Sequence, residues 1–156
     1  MPKVTFVPRE VAETMPEDGE LMVSIAHPGD MDNRDSWPAL DHWPHIIRLL
    51  FDDIEPPACG MTLFSVEDAR RLIDKIDASG RDVIVHCAAG MSRSAAIAKW
   101  LADHRGYELW MHPQGIGTTS YYNRHVYKVM QAADGNDMAA YYEDLERCDR
   151  MMGAQQ

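Results

Sequence analysis

Cys87 and Arg93 stand six positions apart in the run Val83-Ile-Val-His-Cys-Ala-Ala-Gly-Met-Ser-Arg-Ser94, and no other stretch of the chain concentrates as much chemistry. A continuous apolar segment leads into Cys87, as a buried strand would, and an alanine-rich helical pattern follows from about Ser92. Between them lie only small or uncharged residues: Ala88, Ala89, Gly90, Met91 and Ser92. Such a loop can curl until successive backbone N–H groups converge, and the helix behind it adds unpaired donors and the positive end of its dipole. The product is a cradle for an anion. Arg93 can grip two oxygens of a phosphate with its planar fork. The same donors favour a thiolate at Cys87, which places a nucleophile at the floor of the cradle. The chemistry these residues fit is phosphoryl transfer through a cysteinyl-phosphate. Packing alone accounts for a buried cysteine or for a glycine turn, but not for a cysteine, a small-residue loop and an arginine together at a helix start.

The segment His86-Cys87-Ala-Ala-Gly90-Met-Ser-Arg93-Ser94 resembles the HCxxGxxR[ST] signature of the protein tyrosine phosphatase superfamily, and the short chain is similar to its small dual-specificity-like branch. The similarity extends from about Leu21 to Met130. It implies that Cys87 is the nucleophile and that Arg93 binds the phosphate and the transition state. Ser94 would donate a hydrogen bond to the departing sulfur, while His86 would orient the loop and help keep the thiol ionised. Ala88, Ala89, Gly90, Met91 and Ser92 would line the phosphate, with Gly90 permitting the turn. Asn123, in Tyr121-Tyr-Asn-Arg-His125, resembles a position that braces the site from a helix start. The resemblance implies no metal and no other cofactor. Its implied partners are a phosphorylated protein or peptide and small phosphomonoesters.

A leaving alkoxide or phenoxide needs a proton, so a carboxylic acid should face the nucleophile. If the apolar runs Ile46–Phe51 and Val83–His86 are parallel strands, their carboxyl ends share one rim of the sheet, where α/β sites form. Cys87 follows one run and Asp52-Asp53-Ile54-Glu55 follows the other, so the acid is expected in that group. The resemblance favours Asp53, with Asp52 the alternative and Glu55 next. The tyrosine-specific WPD pattern is absent: Trp43-Pro44 is followed by His45 and precedes the strand.

The elements that must position these residues read as α/β. Four strands are expected at Val4–Val7, Leu21–Ile25, Ile46–Phe51 and Val83–His86, in a mostly parallel sheet of four to five strands with helices on both faces. A helix is expected from Val66 to Ala78, opened by Ser65 with Asp68 and stopped by Gly80. Others are expected from Ser92 to Arg105, from near Tyr121, and from Met138 to Met151. The long loop from Ala26 to Pro44, with His45 just beyond, holds His27, Trp37, His42 and Trp43 in no standard metal-ligand spacing.

With 156 residues, the whole span 1–156 suits a single domain. A net charge of −10 disfavours nucleic acid and anionic membranes as partners, and it requires any anionic substrate to be captured by a local positive field. An uncharged cradle further disfavours polyphosphorylated lipids. The three cysteines, Cys59, Cys87 and Cys148, are too sparse and irregular for a disulfide framework and include no CxxC pair. With no apolar leader and no membrane-length run, the chain reads as cytoplasmic, where thiols stay reduced. Two further readings share the loop: a non-catalytic phosphate-binding module, and another thiol chemistry such as sulfur transfer or arsenate reduction.

Overall fold

A computed structural model describes residues 1–29, 37–55 and 62–154, with side chains through 150. In chain order the elements are β1 (Lys3–Pro8), α1 (Arg9–Thr14), β2 (Leu21–Ala26), β3 (Ile46–Leu50), α2 (Val66–Ser79), β4 (Val83–Cys87), α3 (Arg93–His104), β5 (Glu108–Trp110), α4 (Arg124–Ala133) and α5 (Met138–Ala154). The five strands form one sheet in the order β3-β2-β4-β1-β5, every pairing parallel. Since β2 lies between β3 and β4, the crossover through α2 passes over one strand. All five strands therefore deliver their carboxyl ends to one rim.

Alternation along the strands sorts side chains between two cores. Val4, Phe6, Val23, Ile25, Leu49, Val85 and Cys87 pack with residues of α2, α3 and α4, around Trp100 and Leu72. On the other face, Val7, Met22 and Ile84 pack with Ala12 of α1 and with Leu40 and Trp43. Helices do lie on both faces, but unequally: the second face has only the short α1, and the segment carrying Trp43 completes its cover. Trp43, from the long loop before β3, is thus a wall of the smaller core.

Local signals explain the elements that were foreseen. Ser65 Oγ accepts the Asp68 backbone N–H at 3.1 Å, and Gly80 closes α2 at φ 60°. The third helix begins at Arg124 rather than near Tyr121, because Asn123 Oδ1 accepts from the Val126 N–H at 3.0 Å and caps it there. Two elements had no expectation of their own. The helix α1 follows β1 without a loop, and six residues are too few for a readable period; β5 has three residues at the sheet edge. Among the described residues no helix is long and apolar enough to cross a membrane.

Because the second core is small, its one large aromatic carries much of it. Trp43→Ala should cost about 3–5 kcal/mol of stability, read as a lower urea midpoint at unchanged slope. A loss under about 1 kcal/mol would mean that the 37–45 segment merely lies on the sheet.

Candidate active site

The strand β4 ends at Cys87, whose Sγ lies 3.1 Å from Ser94 Oγ, both side chains buried. The loop after it folds back onto the end of β1. Gly90 has φ 66°, and a Cβ there would sit 2.3 Å from the Pro8 nitrogen, so both backbone conformation and close approach demand glycine. The Arg9 N–H donates to the Ala88 carbonyl at 3.3 Å, tying the loop to β1 from the same side.

Arg93 opens α3 and is only 2% exposed. Its Nη1 donates to the Phe51 carbonyl at 2.8 Å, its Nε has no hydrogen-bond partner, and no carboxylate among the described residues forms an ion pair with it. Ser92 stands at the N-cap of α3 without capping it; its hydroxyl instead donates to Asp53 Oδ1 at 2.8 Å. Asn123 Nδ2 donates to the same oxygen at 2.9 Å and to the Ile54 carbonyl at 3.0 Å, while its N–H donates to the Ser92 carbonyl at 3.0 Å. The next residue, Arg124, donates its N–H to Glu55 Oε1 at 2.9 Å. The segment after β3 is thus bound to both the cradle and the start of α4.

A cavity of about 300 Å³ lies over these residues, lined by Cys87, Ala88, Ala89, Met91, Ser92, Arg93, Asp53, His27 and Tyr121. Asp53 reaches it and is exposed, whereas Asp52 is buried beside the rim. Met91 lines the cavity as the motif implied, while Tyr121 and His27 form walls for which the motif offered no signal.

His86 faces away from Cys87, toward the smaller core, as the strand's alternation requires. Its Nε2 lies 2.6 Å from Ser24 Oγ on β2, and both side chains are buried. Burial lowers its pKa from 6.5 to about 4, with the Cys87 backbone pulling the other way. The ring is therefore neutral at pH 7. Any influence on the thiol comes from how the Ser24–His86 link holds the strand end, since a neutral ring supplies no positive charge. Ser24 had a readable signal in retrospect, being the one polar residue in Leu21–Ala26.

The expectation of three reduced cysteines is corrected. Cys87 is free, but Cys148, buried on α5, is disulfide-bonded; Cys59 lies outside the described residues. A pairing made by tertiary proximity leaves no mark in sequence spacing. Among the described residues no cluster of His, Cys, Asp and Glu could hold a metal ion, and of the histidines in the long loop His27 alone lines the cavity.

No family model matches the chain, and no match is found among curated proteins. Among solved structures, the crystal structure of Tk-PTP in the active form is similar over 96% of this chain and 93% of that one, at 16% identity and a TM-score of 0.43. A likeness that distant carries no argument about the site, whose chemistry has to be read from its own residues.

The buried neutral His86 makes a prediction about acid stability. Its depressed pKa contributes stability that is complete above about pH 6.5 and is lost as pH falls toward 4, a loss of roughly 3 kcal/mol. His86→Asn should be less stable at neutral pH yet show a flatter decline over that interval. Equal slopes for the two proteins would mean that His86 is not buried in its neutral form.

Proposed function

We propose that the protein is a phosphomonoester hydrolase acting through a cysteinyl-phosphate, with phosphorylated proteins or peptides as substrates and phosphotyrosine the first choice. The observation that carries this reading is the Arg93 guanidinium: buried, bonded to one backbone carbonyl, with an orphan Nε and no carboxylate partner among the described residues, beside a free cysteine. A buried cation left uncompensated is costly, and an oxyanion over Cys87 would supply both its charge and its hydrogen bonds. The uncharged walls Ala88, Ala89 and Met91 suit a single phosphoryl group better than a polyphosphate.

In the first step Cys87 Sγ attacks phosphorus, the bond to the leaving oxygen breaks, and Asp53 passes its proton to that oxygen. In the second, water attacks the cysteinyl-phosphate, Asp53 takes a proton from it, and sulfur departs with Ser94 donating a hydrogen bond to it. Arg93 and the loop N–H groups stabilise the equatorial oxygens in both steps. Asn123 and Ser92 hold Asp53 over the cradle. Glu55, already bound to the α4 backbone, is left without a chemical part.

Turnover of p-nitrophenyl phosphate and of a phosphotyrosine peptide tests the reading. Cys87→Ser should abolish turnover while retaining phosphate binding, and Arg93→Ala should lose both. Asp53→Asn should lower kcat by about 10²–10⁴-fold for a phenyl phosphate, and much less for an aryl phosphate whose phenol is strongly acidic. Phosphatase activity that survives Cys87→Ser sinks the mechanism. Tight phosphate binding without turnover in the wild type would leave only a binding module.

A further inference from the structure

Tyr121 and Tyr122 are consecutive, yet the fold uses only one of them. Tyr122 is partly buried against the larger core, its ring 5.7 Å from that of Tyr127 in an edge-on pair. Tyr121 is 62% exposed and joins no aromatic or cation–π pair among the described residues. A single exposed aromatic is ordinary, but this one is not single. Met91 is 37% exposed, and both side chains line the 300 Å³ cavity over Cys87, where their exposure marks its opening. The turn that carries Tyr121 is built. Thr118 Oγ1 accepts the Ser120 N–H at 3.1 Å and lies 2.8 Å from Ser120 Oγ, and the Tyr122 N–H donates to the Thr119 carbonyl at 3.0 Å. Two residues after Tyr121, Asn123 holds Asp53.

We propose that Tyr121 is the specificity-determining residue of the site, its ring packing against the aryl group of an aryl phosphomonoester, so that phosphotyrosine is preferred over phosphoserine and phosphothreonine. The inference rests on the hydrolase reading and adds to it the residue that selects the ester. In-line displacement sets the direction. With Cys87 Sγ attacking phosphorus, the leaving oxygen stands on the far side, beside the acid that protonates it. Asp53 is that acid, and Asn123, which holds it, shares a three-residue stretch with Tyr121. The group carried by the leaving oxygen is therefore delivered to the Tyr121 side of the cavity. An aryl group bonded directly to that oxygen offers a flat apolar face and edges, which a tyrosine ring meets in offset or edge contact. A serine or threonine side chain offers too little carbon before the peptide backbone begins. Met91, soft and flexible, suits the edge of an aromatic ring. Arg93 serves the phosphoryl group alone, so the choice between esters is left to apolar contact.

Calorimetric titration of the full chain with inorganic phosphate, ethylphosphonate and benzylphosphonate tests this without any turnover. Wild type should bind benzylphosphonate about tenfold more tightly than ethylphosphonate, the worth of one aromatic contact. Tyr121→Ala should bring the two phosphonates within about twofold of each other and leave inorganic phosphate within about twofold of wild type. Tyr121→Phe keeps the ring and should keep the preference. With a phosphotyrosine peptide, Tyr121→Ala should raise KM about tenfold while kcat changes by less than about twofold. The phosphoserine version of the same peptide should show an unchanged kcat/KM. A preference for benzylphosphonate that survives Tyr121→Ala, or that Tyr121→Phe loses, overturns the proposal. So does an equal weakening of all three anions in Tyr121→Ala, the mark of a merely structural role. An aryl preference that depends on Tyr121 in a protein without Cys87-dependent turnover sinks the hydrolase reading and leaves the aryl-anion site standing. Cys87-dependent turnover with no aryl preference does the reverse.

Discussion

Burying the Arg93 guanidinium takes a cation out of water at a cost of several kcal/mol, and no carboxylate among the described residues offsets it. Much of the rim can be understood as what holds such a group in place. The Phe51 carbonyl takes one of its N–H groups, so the end of β3 is drawn to the start of α3. The loop from Ala88 to Ser92 packs against Pro8 with no room for a side chain at Gly90. Its Nε is left without a hydrogen-bond partner, and Arg93 lines the cavity together with Cys87.

The segment after β3 is governed by a second constraint. Its acidic residues would repel one another if they shared a space, and the structure gives each a separate partner. Asp53 receives Ser92 and Asn123, Asp52 receives Thr62 and His27, and Glu55 receives the Arg124 backbone. The start of α4 is the common anchor for two of the three. That anchor is held in turn by α5, because buried Asp144 pairs with His125 at 3.0 Å and with Lys128 at 3.0 Å. A charge buried between two helices is tolerated when its partners surround it, and this one stiffens the helix that carries Asn123.

The unequal faces of the sheet bear on the same rim. The helices α2, α3 and α4 make the larger core on one face, so α3 and α4 are well supported from below. The opposite face depends on α1 and Trp43, and there the buried Ser24–His86 link joins β2 to β4 just before both strands reach the site. His86, neutral and linked to Ser24, thus shapes this end of the strand without bringing a charge to it.

The cradle was legible in the sequence because it is local: Cys87 through Ser94 are consecutive, and a strand, a small-residue loop and a helix start can be recognised without knowing what surrounds them. The same holds for α2, whose cap, apolar face and glycine stop all lie within its own residues. What only the tertiary structure decided involves residues distant in the chain or ambiguous in direction. Asn123 reaches Asp53 across 70 positions, and nothing in either segment encodes that distance. Asp52 and Asp53 have the same side chain, and only the packing around Thr62, His27 and Ser92 determines which one faces the cavity. His86 sits in the most informative motif of the chain, yet its side of the strand, and with it its neutral state, is set by the alternation and by Ser24 on another strand. Sequence patterns report the free energy of short segments, whereas the direction of a side chain at a sheet rim is fixed by neighbours that folding alone brings near.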